Sequence, residues 1–449
     1  MQGSRVRCEK QISSLQQHRL VRQVAGGPMI FRILISFLFL GIAATAQAQP
    51  LQTFDRLVES GDMPALAEAL AGDGLPSLDR ELAIVMARLS LSGDPVDADR
   101  VSDQIDQMVG LSDDQRRRAF RALADRAFRE TRYSDAAVAL DRALAFADDE
   151  ARADIAPDLA LYRVASPVAP IRVTGASGAT VPITRDIAKQ MRVDVRLEDG
   201  PSVPVLVDTG AEISVIMDRY ARAAGLRFLE GEVQVGTVTE DVTGRLAVAD
   251  RVQIGDMIIR NVVFLVLPDA MLTFSDGDYT ADGILGLQVF AATGRMGWSK
   301  GGAQLSLGES APAIDATHPR LYWHADGLGL EVWRGEQPAS AFFDSGASRT
   351  IFRPGLLAHL DDQERARLVR SSRTRSGVGG EETIETQTLD VLALTVGGSE
   401  LTYRTLTIDP ADEELPAADI VAIGNDLVAR ADRLSLDFRT MRYQVVLPD

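Results

Sequence analysis

Two short acidic motifs in matching surroundings constrain this chain more than any other feature. Asp208-Thr209-Gly210 and Asp344-Ser345-Gly346 lie 136 residues apart, and each follows an apolar run and precedes an alanine. A single triplet of this kind is common in turns and would mean little. A repeated setting predicts instead two related halves that bring two carboxyl groups together about a pseudo-two-fold axis.

The repetition extends on both sides of the triplets. Each triplet is preceded by a predicted β-hairpin, at 193–207 in the first copy and at 330–343 in the second. Downstream, residues 252–268 parallel residues 394–410 at an offset of 142. Insertions between these anchors are therefore small, and we expect the two halves to share one fold.

Paired carboxyl groups carry a particular chemistry. Two of them about 3 Å apart cannot both ionise, so they share one proton. One can then act as a base on a water molecule while the other polarises a carbonyl group. Gly210 and Gly346 permit the tight loops that this arrangement requires, and the hydroxyls of Thr209 and Ser345 can satisfy buried loop groups.

The motifs also resemble a known family. Asp-Thr-Gly-Ala before a β-branched run, together with Ile423-Gly424-Asn425-Asp426-Leu427, resembles the aspartic peptidases, and the retropepsin-like bacterial members more closely than the pepsins. Over roughly residues 181–448 the chain looks like two retropepsin halves fused in tandem. The resemblance implies a mostly β, bilobal acid-protease fold with pseudo-two-fold symmetry and a catalytic site formed within one chain.

The resemblance assigns matching roles in the two copies. Asp208 and Asp344 become the catalytic pair. The residues that support their loops are Thr209, Gly210, Gly286, Ser345, Gly346 and Gly424. The candidates for substrate-covering flaps are Gly236, Thr237, Val238, Gly377, Val378 and Gly379. Neither flap candidate carries the tyrosine of pepsin flaps, and the resemblance implies no cofactor.

Residues 1–48 have the features of a secretory signal peptide. An apolar run at 30–44 is followed by Ala46-Gln47-Ala48, so we expect cleavage before Gln49, with Met29 as an alternative start of the leader. The run is short for a membrane span, and an uncleaved anchor is the weaker alternative. After cleavage we expect a periplasmic or secreted protein without a stable membrane span.

Charge narrows the range of partners. The formal net charge is −17, and it would become −22 without the leader, which carries six basic residues and one acidic residue. Such a surface disfavours nucleic acid and anionic membranes as partners. The only cysteine, Cys8, lies in the leader, so the mature chain would have no disulfide.

The chain divides by composition. Residues 49–165 show helical spacing, and 120–143 fit a tetratricopeptide repeat as well as they fit an ordinary alanine-rich helical hairpin. Such a repeat would offer a surface to a protein partner. Short helices are expected at 218–224 and 356–370. The remaining predicted segments are a linker at 166–180, a first lobe at 181–310, a linker at 311–319 and a second lobe at 320–449.

Other chemistries fit less well. The histidines beyond the leader are not at metal-ligand spacing, so we expect no metal site. Serine-hydrolase and phosphate-binding motifs are absent from the sequence. We predict an exported endopeptidase that holds an extended peptide under hairpins near 232–246 and 372–388. The alternative is an exported interaction protein whose helices recruit a partner and whose lobes bind peptide without cleaving it.

Overall fold

The computed structural model describes residues 57, 62–71, 77–235, 242–274, 278–324, 327–377, 380–410 and 418–448. All of these lie in one compact unit, Gln47–Asp449. Helices come first and strands dominate the rest, which confirms the predicted helical N-terminal region followed by a mostly β region. The predicted leader lies outside the described residues.

The N-terminal helices pack as neighbouring pairs. They are α1 (Met63–Ala71), α2 (Ser77–Leu91), α3 (Ala98–Gln107), α4 (Asp113–Arg129), α5 (Tyr133–Leu144) and α6 (Asp149–Ala165). Ser112 and Gln115 form a capping box that starts α4. Buried alanines at 124 and 136 let α4 and α5 approach closely. Within the described ranges no helix is both long and apolar enough to cross a membrane.

The first β half lies between the helices and residue 310. Its strands are β1 (Arg172–Gly175), β2 (Gly178–Pro182), β3 (Thr184–Arg185), β4 (Met191–Leu197), β5 (Ser202–Val207), β6 (Ser214–Met217), β7 (Arg227–Phe228), β8 (Val233–Val235), β9 (Val242–Ala249), β10 (Val252–Ile254), β11 (Met257–Arg260), β12 (Val262–Leu267), β13 (Thr273–Phe274), β14 (Tyr279–Thr280), β15 (Gly283–Leu285), β16 (Arg295–Ser299) and β17 (Gln304–Gly308). Its helices are α7 (Asp218–Ala223) and α8 (Leu287–Thr293), with a 3₁₀ turn at Asp269–Leu272.

The second β half follows residue 320. Its strands are β18 (Leu321–His324), β19 (Gly327–Arg334), β20 (Gln337–Phe343), β21 (Ile351–Phe352), β22 (Val369–Gly377), β23 (Gly380–Val396), β24 (Ser399–Ile408), β25 (Asp419–Ile423), β26 (Arg433–Asp437) and β27 (Arg442–Val446). Its helices are α9 (Asp362–Ala366) and α10 (Asn425–Arg430), with a 3₁₀ turn at Pro354–His359.

The same strand order recurs in the two halves. The first sheet contains β4-β5-β15-β6-β12-β9, and the second contains β19-β20-β25-β21-β24-β23. In each series the second and third strands are parallel, and so are the fourth and fifth. A third sheet, β2-β17-β16-β26-β27, takes strands from both halves and joins them.

The first sheet is buried on both faces. Along β12, Val262, Phe264 and Val266 belong to the core that the β halves share. The alternating residues, Val263, Leu265 and Leu267, belong to the core formed with the helices. Because successive side chains of a strand point to opposite faces, the helical region covers the second face of this sheet.

Two segments differ from the sequence prediction. Residues 166–180, predicted as a linker, supply β1, which pairs with β11, and β2, which pairs with β17. Small residues and prolines suggested a linker, but the pairing partners lie far away in the sequence and override that local signal. The helix predicted at 356–370 is instead a 3₁₀ turn and the short α9, and β22 begins at Val369.

Candidate functional site

The two predicted acidic residues occupy equivalent positions at strand ends. Asp208 follows β5, and its backbone N–H donates to the Leu285 carbonyl on β15 at 3.1 Å. Asp344 follows β20, and its N–H donates to the Ile423 carbonyl on β25 at 2.9 Å. Each residue therefore starts a loop at the carboxyl end of a strand paired in parallel with its neighbour. We call residues 208–213 the Asp208 loop and residues 344–350 the Asp344 loop.

Thr209 and Ser345 connect the two loops by a reciprocal exchange of hydrogen bonds. The Thr209 hydroxyl donates to the Phe343 carbonyl at 3.0 Å and accepts from the Ser345 N–H at 3.0 Å. The Ser345 hydroxyl donates to the Val207 carbonyl at 2.9 Å and accepts from the Thr209 N–H at 3.0 Å. Both side chains are fully buried. Because buried polar groups must be paired, this exchange fixes the separation of the two strand ends.

Backbone donors orient the two carboxyl groups in the same way. Asp208 Oδ1 accepts from the N–H groups two and three residues on, at 2.8 and 3.2 Å. Asp344 Oδ1 does the same at 2.8 and 3.1 Å. The two carboxyl groups are close enough to interact electrostatically with each other. They lie deep between the two halves and retain partial exposure to solvent, so water can reach them.

The electrostatics of the pair favour a shared proton. Burial and the neighbouring charge of Asp344 raise the pKa of Asp208 well above its usual range. Burial also raises the pKa of Asp344, although the interaction with Asp208 lowers it in part. The two groups titrate as a unit, and the unit keeps one proton to higher pH than isolated carboxyl groups would. One carboxylate base and one carboxylic acid then face the same small space.

Two glycines allow the carboxyl groups to come this close. A Cβ atom on Gly210 would lie 2.6 Å from Asp344 Cγ, and one on Gly346 would lie 2.4 Å from Asp208 Cγ. Real Cβ atoms do not approach heavy atoms at these distances. Any side chain at either position would therefore push the opposite carboxyl group away.

Gly286 and Gly424 support the loops from behind. Each glycine stands between the strand paired with the Asp-bearing strand and a short helix, α8 or α10. The Gly286 N–H donates to the Ser214 hydroxyl at 3.0 Å, and the Gly424 N–H donates to the Thr350 hydroxyl at 3.2 Å. A Cβ atom at either glycine would fall within 2.7 Å of loop backbone, so both positions exclude larger residues.

The flap candidates are only partly described. Gly236, Thr237, Val238, Val378 and Gly379 lie outside the described residues. Gly377 ends β22 and pairs with residue 380 at the start of β23. The strands that flank the candidates do form hairpins, β8 with β9 and β22 with β23, and the second hairpin is much the longer.

Sequence reasoning missed several residues that hold the loops. Gln190 Nε2 donates to the Gly346 carbonyl at 2.6 Å, and Gln190 Oε1 accepts from Asn425 Nδ2 at 3.1 Å. Asn425 stood within the quoted motif, but Gln190 lies 156 residues from its partner and carries no local signal. On the other side, Arg129 and Gln288 connect the Asp208 loop to the helical region. Among the described residues, no cluster of three or more His, Cys, Asp or Glu side chains could hold a metal ion.

Comparisons with known proteins give one family match and a set of structural matches. Residues 191–289 match the family model described as aspartyl protease, a range that contains the Asp208 loop and ends within α8. A comparison with curated proteins finds no match. Among solved structures 27 chains match, including a retropepsin-like aspartic protease from Rickettsia conorii. That match covers 30% of this chain and 92% of the other, with 16% identity and a TM-score of 0.22.

Proposed function

We propose that this protein is an exported aspartic endopeptidase that hydrolyses peptide bonds with a water molecule activated between Asp208 and Asp344. The observation that carries the proposal is the reciprocal exchange between Thr209 and Ser345, which sets two partly exposed carboxyl groups in contact. The aspartyl protease match over residues 191–289 supports the same activity.

The reaction starts from the singly protonated pair. The ionised carboxylate takes a proton from water, and the water oxygen attacks the carbonyl carbon of the peptide bond. The neutral carboxyl group donates its proton to the carbonyl oxygen, which gives a tetrahedral diol. The acid that took its proton from water then donates it to the amine nitrogen and the C–N bond breaks, while the other carboxylate takes a proton from one diol hydroxyl as the carbonyl group of the new carboxylic acid forms. These transfers return the pair to its singly protonated state.

We further propose that both acids of one site belong to one chain. The six-strand order that recurs in the two sheets supports two lobes related by a pseudo-two-fold axis. An extended peptide would cross between the lobes beneath the β8–β9 and β22–β23 hairpins. Main-chain hydrogen bonds of the kind used in strand addition would hold it there.

The activity is tested by incubating the purified protein with a mixed peptide library and identifying the cut sites by mass spectrometry. We expect internal cleavage by the wild type and a loss of about 10² to 10⁴-fold in rate for Asp208→Asn and for Asp344→Asn, because each removes an acid–base partner. Peptides that are retained intact by a folded wild-type protein would favour the non-catalytic binding alternative.

Export is tested separately. The apolar run and the Ala46-Gln47-Ala48 site lead us to expect a mature chain that begins at Gln49. N-terminal sequencing of protein from the periplasm or the medium decides this. A mature chain that still contains residues 33–40 would mean an uncleaved anchor.

A further inference from the structure

An ion pair attaches the Asp208 loop to the helical region. Arg129 lies in the last turn of α4, and its Nε and Nη2 both donate to Glu212 Oε1, at 3.1 and 2.8 Å. The Arg129 side chain is 7% exposed and that of Glu212 is 33% exposed. A buried charge is costly unless it is paired. Separating the helix from the loop would therefore leave a buried guanidinium without this partner.

A second contact reaches the loop through α8. Gln288 is 3% exposed. Its Oε1 accepts from the Tyr133 hydroxyl at 2.9 Å, and its Nε2 donates to the Phe128 carbonyl at 2.6 Å. That carbonyl lies in the last turn of α4 and also accepts from the Thr131 N–H at 2.8 Å. One residue before Gln288, the Leu287 N–H donates to the Ala211 carbonyl at 2.8 Å. The helices thus hold α8, and α8 holds the loop.

The Asp344 loop has different surroundings. The position that corresponds to Glu212 is Ser348, which is exposed, as is Arg349 beside it. The position that corresponds to Gln288 is Asp426, which accepts from the Thr350 hydroxyl at 2.7 Å within the same half. At these two pairs of corresponding positions, the contact with the helical region is made only on the Asp208 side. In the second half α1 packs against β20 and α2 against β18.

We propose that Arg129 and Gln288 are positioning residues that hold the Asp208 loop in its reactive geometry, so that the helical region stays part of the active enzyme. This proposal rests on the proposed endopeptidase function. It assigns the helices a task at the site itself. The full chain, and not the β region alone, is then the catalytic unit.

The central variants are Arg129→Gln and Glu212→Gln, measured singly and together in the full chain. Because a small misplacement of a reacting group is costly, we expect kcat to fall about 10-fold in Arg129→Gln while KM stays within about twofold. The double variant should be no slower than Arg129→Gln, since both changes remove one contact. Arg129→Lys should recover part of kcat, because an ammonium can still pair with Glu212.

A matched control lies on the same helix. Arg121 on α4 pairs with Asp158 on α6 at 2.5 Å and makes this pair wholly within the helical region. We expect Arg121→Gln to lower the unfolding midpoint and to leave kcat unchanged. Tyr133→Phe removes one oxygen atom and leaves Gln288 Oε1 without its donor. It should lower kcat in the same direction as Arg129→Gln and by less.

Amide hydrogen exchange gives a readout that does not depend on activity. In Arg129→Gln we expect faster exchange than in the wild type in the peptide that spans residues 208–214. In Arg121→Gln we expect the wild-type exchange rate in that peptide. A folded Arg129→Gln protein with wild-type kcat and wild-type loop exchange would overturn the proposal, as would an equal loss of kcat in Arg121→Gln. If the wild type cleaves no peptide, the proposed function fails, and the exchange experiment still decides whether the helices hold the loop.

Discussion

The two halves share a strand order but differ in what covers them. In β12 of the first half every residue is buried, and the side chains alternate between the β core and the helical core. In β24, its counterpart, Leu401 and Tyr403 are buried while Glu400, Thr402 and Arg404 are exposed. One sheet is therefore packed on both faces along these strands, whereas the other presents this face to solvent.

This difference shows how one site can rest on two kinds of support. The Asp208 loop is held from outside by the helices through Arg129 and Gln288. The Asp344 loop is held from within the β region by Gln190 and Asn425. Between them, the exchange of hydrogen bonds by the two hydroxyl residues is the same on both sides. Predictions that treat the loops as equal, and predictions that treat them as different, can therefore be tested against each other.

The largest effect is expected at the glycines that face the opposite carboxyl group. Gly210→Ala and Gly346→Ala should each lower kcat at least about 100-fold, because the new methyl group would displace a reacting carboxyl group. Gly335→Ala is the control. Gly335 lies in the turn between β19 and β20, the hairpin that leads to Asp344, and no atom lies within 4 Å of a Cβ atom placed on it. The substitution should cost about 1 kcal/mol of stability for its left-handed backbone and leave kcat unchanged. Activity in either loop variant would contradict the close approach.

The shared hydroxyl exchange predicts equal losses on the two sides. Thr209→Val and Ser345→Ala each leave a buried N–H and a buried carbonyl without partners. We expect each to lower the free energy of unfolding by about 3 kcal/mol in denaturant titrations. Thr180→Val, which removes an exposed hydrogen bond to Ser306, should cost about 0.5 kcal/mol or less. A large loss of unfolding free energy in only one of the two variants would show that the two hydroxyls do not contribute equally to stability.

The sequence alone predicted the order of the elements and the two acid-bearing loops better than it predicted the contacts that hold those loops. The repeated triplets placed both acids in loops after apolar strands, because the signal is local and occurs twice. The sequence also contains an uninterrupted apolar run at Val262–Leu267, and such a run indicates a strand whose sheet is covered on both faces. The contacts of Arg129 and Gln190 could not be predicted, because they join residues 83 and 156 positions apart. Local composition also hid the strands at 172–182, whose pairing partners lie far along the chain.

The pH dependence of the rate tests whether the two carboxyl groups share one proton. The proposed mechanism requires one proton on the pair, and the raised pKa of Asp208 carries that state toward neutral pH. We therefore expect activity at mildly acidic to near-neutral pH. Ala211→Ser and Ala347→Ser would add hydroxyls that can donate to the carboxylates and favour their charged form. Each should move the upper limb of the kcat profile to lower pH, and an unmoved limb in the folded double variant would contradict this account.

A smaller effect concerns stability. Because the folded pKa of Asp208 lies above the unfolded value, the protonated pair contributes stability that is complete below about pH 3.9 and is lost as pH rises through the folded pKa. Asp208→Asn removes this group and should flatten that part of the dependence. Unfolding midpoints measured across pH for the wild type and the variant test the sign. The predicted sign is wrong if, relative to Asp208→Asn, the wild type becomes more stable as the pH rises above about 3.9.

The central claim is that one chain supplies both acids of one site. In its most direct test, the Asp208→Asn and Asp344→Asn proteins are unfolded, mixed and refolded together. Peptide cleavage by the mixture is then measured. The account predicts that the mixture stays as inactive as either variant, because each chain still lacks one acid. Recovery of cleavage on mixing would mean that the site forms between chains, and would contradict the account.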